Sequence, residues 1–181
     1  MYALRYWTTR PPIGNAMIFR LSQKLAKKLK AGNAKTLPLD DNPYADWSSH
    51  LFTADRTQYI IVTNTQALYS VVMFGKGITG DSRFIERVLS TIREFMEDDG
   101  QAFVYQRFIA PASGSIQFSK PLNRSVIGSM NDMIQQAEYY LTAGDLSPYD
   151  LGFMLNDTPM SAISYQNPRK ALKALADQKD S

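Results

Sequence analysis

The sequence predicts one α+β domain in which helices pack a mainly antiparallel sheet. Three observations lead there. Over 181 residues, 44% are hydrophobic and 12% aromatic, which supplies a single core at a length that buries roughly 70% of the unfolded surface. Residues 50–74 alternate short β-rich runs with turn residues, the pattern of a meander. Apolar residues then recur at helical spacing over 85–96 and again beyond 125.

Residues 1–16, MYALRYWTTRPPIGNA, hold Pro11, Pro12 and Gly14 and keep neither period, so they read as an irregular arm ahead of a domain at 17–175. Met17 is an alternative start for the chain. From there MIFR reads as a strand, and Ser22 as the N-cap of a helix reaching about Lys30. Leu21, Leu25 and Leu29 form one apolar stripe on it, with Lys24, Lys27, Lys28 and Lys30 on the flanks and back. Gly32 and Asn33 end it. Two prolines and several Asp and Asn residues make 37–47 a loop that delivers Trp47 to the domain.

The meander divides at Ala54–Asp55 and Thr65–Gln66, and its middle strand, Tyr59 to Val62, is apolar enough to be buried on both faces. Gly75, Gly77 and Gly80 mark a turn, after which Asp81 or Ser82 caps a helix carrying Ile85, Val88, Leu89, Ile92, Phe95 and Met96, closed by Gly100. That helix ends on Glu97, Asp98 and Asp99, against its own dipole, and so calls for a basic partner such as the leader helix. Further strands are predicted near 102–109 and 115–120, and a second long helix from Ser125 to Leu141. Ser147–Pro148 and Asn167–Pro168 each pair an N-cap with proline at the first helical position, predicting two more helices, and 176–181 reads as a frayed tail.

Charge is segregated along the chain. The first 39 residues contain Arg5, Arg10, Arg20, Lys24, Lys27, Lys28, Lys30 and Lys35 and no Asp or Glu, whereas the rest carries a net −5 within a whole-chain charge of +3. A basic segment of this kind meets phosphates, lipid headgroups or the chain's own carboxylates. With no cysteine, the chain has no disulfide, thiolate metal site or cysteine nucleophile, and with His50 as its one histidine it has no multi-histidine metal site. Nothing in the sequence calls for a cofactor or a metal. No run approaches the roughly 18 apolar residues of a membrane span, and no secretory apolar core stands at the N-terminus, which makes the cytoplasm the default location. The acid-free leader is a poor transit peptide because it holds few serines.

Three groups of residues are candidates for chemistry. Arg20 and the lysines at 24, 27, 28 and 30 fit a phosphate-tracking element, aided by Tyr2, Tyr6 and Trp7 as stacking rings; they fit a solvated helix face equally well. Around the second long helix, Arg124, Ser125, Ser129 and Asn131 form a polar start suited to an anion, or else Ser125 caps, Gly128 allows close packing and Asn131 with Asp132 bonds a loop. Asp46, Ser49, His50, Asp55, Arg56 and Asn64 surround the first strands. His50 beside carboxylates invites acid/base chemistry, and Asp46 with Asp132 could hold Mg²⁺; yet no G-x-S-x-G elbow is present, and a lone histidine at a strand start is more often a hydrogen-bonding structural residue.

RLSQKLAKKLK at 20–30, NPYADWSSHLFTADRTQYIIVTNTQALYSVVM at 42–73, NRSVIGSMNDM at 123–133 and LNDTPMSAISYQNPRKAL at 155–172 resemble an uncharacterised bacterial family of unknown function. The resemblance covers nearly everything from Met17 onward and implies a single-domain architecture, while carrying over no established activity and no catalytic residue. Family members are expected to carry a histidine after the Asp-Trp pair, where this chain has Ser48. The first expectation is therefore a non-enzymatic binding or regulatory domain whose basic segment contacts nucleic acid or an acidic protein. The runner-up is a small hydrolase or Mg-dependent nuclease using Asp46, His50, Arg124 and Asp132, which requires those four side chains to converge.

Overall fold

Five residues, MIFRL, form β1 (Met17–Leu21), and all five are buried, as expected of a strand covered on both faces. The computed structural model describes residues 16–177. Five strands make one mixed sheet in the order β4-β3-β2-β1-β5. β2 (Asp46–Ala54), β3 (Thr57–Asn64) and β4 (Ser70–Phe74) are the antiparallel meander, and β1 lies parallel both to β2 and to β5 (Ile116–Ser119). Asp55 and Arg56, with φ of 42° and 62°, make the two-residue turn whose left-handed backbone suits the twist of a hairpin. β2 starts at Asp46, four residues before the expected run, so Trp47 belongs to the sheet rather than to the loop.

Side-chain alternation gives the sheet two apolar faces. Met17, Phe19, Leu21, Trp47, Ile60 and Val62 join one core with α1 (Gln23–Leu29), α2 (Asp81–Asp98) and α6 (Pro168–Asp177). Phe52, Ala54, Tyr59, Ile61 and Val72 join the other with α4 (Arg124–Ala143) and α5 (Pro148–Asp157). Each fully buried Leu, Ile or Phe contributes about 1.5–3 kcal/mol of transfer free energy, so both helical layers are held mainly by this burial. Gly152 lets α5 settle closely: a Cβ there would lie 2.7 Å from the Phe95 ring. Asn156 then accepts from the Ser70 N–H (2.8 Å) and donates to its carbonyl (2.9 Å), occupying backbone groups at the start of edge strand β4.

Caps explain most element ends. Ser22 accepts from Leu25 N–H at 3.3 Å to start α1, and Lys30 closes it in the left-handed conformation at φ 54°. Ser147 and Asn167 cap α5 and α6 ahead of their prolines. Two caps differ from expectation. Gly80 occupies the cap position of α2, where Asp81 is the first helical residue and its carboxylate accepts from Ser82 N–H; Asn123, not Ser125, caps α4 through Val126 N–H at 3.0 Å.

The larger correction is at 102–109, which is not a strand. Residues 102–112 wind through α3 (Ala102–Val104), a π-turn (Tyr105–Ile109) and a 3-10 turn (Ala110–Ala112). Its aromatic and β-branched composition suggests β structure, but Val104, Phe108 and Ala112 stand at i, i+4 and i+8, and tertiary packing uses that helical period. Phe108 stacks on Tyr44 with centroids 4.6 Å apart. At the C-terminus α6 extends to Asp177, with Leu172 and Leu175 buried. The arm at residues 1–15 and residues 178–181 lie outside the described residues.

Candidate functional site

The described basic residues of the leader divide between a buried arginine and exposed lysines. Arg20 sits on β1 with no exposed surface, and all five of its N–H donors are used. Nε and Nη2 donate to the two oxygens of Asp46 at 2.8 and 2.7 Å, Nη1 to the Leu37 carbonyl (2.7 Å) and Ser119 Oγ (3.2 Å), and Nη2 also to the Pro38 carbonyl (2.8 Å). Asp46 additionally accepts from Thr65 Oγ1 (2.8 Å) and from Asp40 N–H (3.1 Å). One ion pair thus ties β1, the 37–40 segment, the start of β2, the β3–β4 turn and β5 together. Its atoms are committed to one another, so Arg20 is not on a binding surface and Asp46 has no free face for Mg²⁺.

The lysines of α1 remain open. Lys24, Lys27 and Lys30 are exposed and, among the described residues, none of them forms an ion pair; Lys28 donates to Gln58 Oε1 at 2.8 Å. The acidic end of α2 is satisfied elsewhere. Arg169 of α6 grips Asp99 bidentately (2.7–3.0 Å) and also pairs with Asp157, Tyr69 and Tyr149 donate to Asp99 and Asp98, and Glu97 accepts from Arg93. Burial first, then the neighbouring Asp99 carboxylate, raises the Tyr69 pKa; burial and Asp98 do the same to Tyr149. The leader helix is therefore not the partner of Glu97, Asp98 and Asp99.

Two grooves open beside α1. The first, of about 550 Å³, lies at the carboxyl ends of β1 and β5, where Leu21 and Lys120 are brought side by side by the parallel register Arg20↔Ser119. Leu21, Ala26, Ala31 and Pro121 give it an apolar lining, Lys27 and Lys120 supply cations, and no Asp or Glu among the described residues lines it. The 33–38 segment is held beside it: Lys120 N–H donates to the Lys35 carbonyl (3.1 Å), and Ser119 Oγ accepts from Leu37 N–H (2.9 Å).

The second groove, of about 630 Å³, runs between the start of α1, β2 and α4. His50 is part of its lining, with Lys24, Gln58, Asn131 and Glu138 around it. His50 is 9% exposed and its ring has no hydrogen-bond partner among the described residues; burial lowers its pKa, which keeps the imidazole neutral near pH 7.

Sequence reasoning singles out Lys24, His50 and Asn131 separately, and the fold puts them in one groove. It does not assemble the hydrolase or nuclease set. Asp46 lies four strand residues from His50, about 13 Å along β2, and is locked to Arg20. Arg124 and Asp132 are exposed on α4, and neither lines the groove at His50. Ser125 is exposed too, while Ser129 is buried and donates to the Ser125 carbonyl (3.1 Å). Gly128 has no neighbour within 4 Å of a Cβ position, so it is not a close-packing glycine. Among the described residues no group of three or more His, Asp or Glu side chains is placed to hold a metal, and no helix is long and apolar enough to cross a membrane. Sequence reasoning misses Lys120 because it becomes a neighbour of the leader only once β5 pairs with β1.

Fold and grooves define the class: an α+β single domain with a five-stranded mixed sheet and exposed lysines on α1. The chain belongs to a family described as a domain of unknown function, DUF6933, whose family model matches residues 18–171. No curated protein matches it, and no solved structure does.

Proposed function

We propose that the protein is a non-enzymatic binding or regulatory domain that contacts nucleic acid through the basic face of α1. The supporting observation is that Lys24, Lys27 and Lys30 are exposed and form no ion pair among the described residues, while Lys120 arrives from β5 to extend the same face. An ammonium group already neutralised inside the molecule has little to offer a phosphate, whereas a solvated one releases counterions when it binds. Arg124, exposed at the start of α4, is a further phosphate contact in this reading. About four such contacts to duplex DNA give a log–log salt slope near −3 to −4. Binding of short duplexes and single strands measured at several salt concentrations tests this; association that is absent, or indifferent to salt, removes it.

A further inference from the structure

The two parallel strands at the sheet edge send their chains to opposite sides. From β1 the chain enters α1, whose Leu25 and Leu29 pack in the first core; from β5 it enters α4, whose Met130, Met133 and Ala137 pack in the second. Neighbouring parallel strands whose connections diverge in this way leave a crevice outside their carboxyl ends, and in open sheets such crevices are where small ligands bind. The groove at Leu21 and Lys120 occupies that position, and its volume of about 550 Å³ falls in the range of small-molecule sites.

We infer that this groove binds a small organic phosphomonoester, with Lys27 and Lys120 on the phosphate and Leu21, Ala26, Ala31 and Pro121 against the apolar body. Two ammonium groups from separate elements, with no carboxylate among the described lining residues, suit a dianion better than a single charge. A phosphomonoester carries about −1.5 to −2 at pH 7, twice a carboxylate. Gln23 and Asn33, also in the lining, add amides able to bond ester or hydroxyl oxygens. The inference goes beyond nucleic-acid contact, because it needs only the free ligand.

The test is titration of the full chain, followed by amide NMR, with phenyl phosphate and adenosine 5′-monophosphate, each against phenol or adenosine. In parallel, a 5′-phosphorylated oligonucleotide is compared with its 5′-hydroxyl form. At least one free phosphomonoester should bind tenfold or more tightly than its dephosphorylated counterpart, shifting signals at 31–34 and 120. Lys120→Glu and Lys27→Ala should each weaken it tenfold or more with the rest of the spectrum unchanged. A 5′-phosphate preference in the oligonucleotide would assign the same chemistry to a strand end. No phosphate preference in any pair, or full affinity in both variants, overturns the inference. Salt-sensitive duplex binding without phosphomonoester binding leaves only the nucleic-acid reading standing; phosphomonoester binding without oligonucleotide binding leaves only this one.

Discussion

Arg20 and Lys24 are four residues apart in the same acid-free leader, yet one is sealed inside the protein and the other faces water. The difference is one of position before it is one of charge. Arg20 is on a strand inside the sheet, where an unpaired guanidinium would be prohibitive, and the fold surrounds it with a carboxylate, a hydroxyl and two carbonyls. A planar fork with five donors can be satisfied completely in such a setting, which a single ammonium point charge cannot match. Lys24 and Lys27 project from a seven-residue helix whose buried side chains are Leu25 and Leu29, and they themselves are exposed, so their heads stay solvated. Positive charge near the N-terminus is therefore two things: a tie within the sheet, and an open surface beside it.

The largest effect expected from this contrast is at the tie. Asp46→Ala strands a buried guanidinium and should cost about 3–5 kcal/mol in urea unfolding, whereas replacing both partners together, Arg20→Met with Asp46→Leu, should recover much of it. A loss under about 1 kcal/mol for Asp46→Ala would break the comparison. Next, Arg169→Ala should cost about 1.5–3 kcal/mol, since Asp99 is nearly buried and is deprived of its bidentate partner. If the triple change of Lys24, Lys27 and Lys28 to Ala cost more than this, the leader helix would be a clamp after all.

A smaller effect belongs to His50. Its folded pKa lies below the unfolded value of about 6.5, so the unfolded chain takes up the proton first as pH falls. Stability should then be complete above about pH 6.5 and decline below it, and His50→Gln should remove that component of the slope. An unchanged pH profile in the variant would mean that His50 titrates alike in both states. The smallest stability effect is expected for the lysines: each substitution should stay within about 0.5 kcal/mol, while the salt slope of nucleic-acid binding becomes shallower by about one for each lysine–phosphate pairing removed. Thermal melts and salt titrations on the same variants separate the two.

Much of the fold is legible in the sequence because local chemistry agrees with it. Ser22, Ser147 and Asn167 cap where their types and following residues predict, and the meander's three strands follow their turn residues. Residues 102–112 mislead because β-prone composition overlies a helical spacing, and only contact with Tyr44 and the first core shows which of the two applies. The site is less legible still. Lys24, His50 and Asn131 stand out one by one, but their shared groove depends on α4 crossing β2. Asp46 reads as a lone carboxylate, while its partner, 26 residues away, reads as one more cation of the binding segment.

The sequence alone determined the class of fold, the segregation of charge and the exclusion of thiol and multi-histidine chemistry, because composition, period and caps act over a few residues. Only the tertiary structure decided which cations are consumed and which stay free. Charge is assigned to a partner by strand register and by which strands lie side by side, and pairing β1 with β5 across about a hundred residues of chain is a choice that no short stretch of sequence encodes.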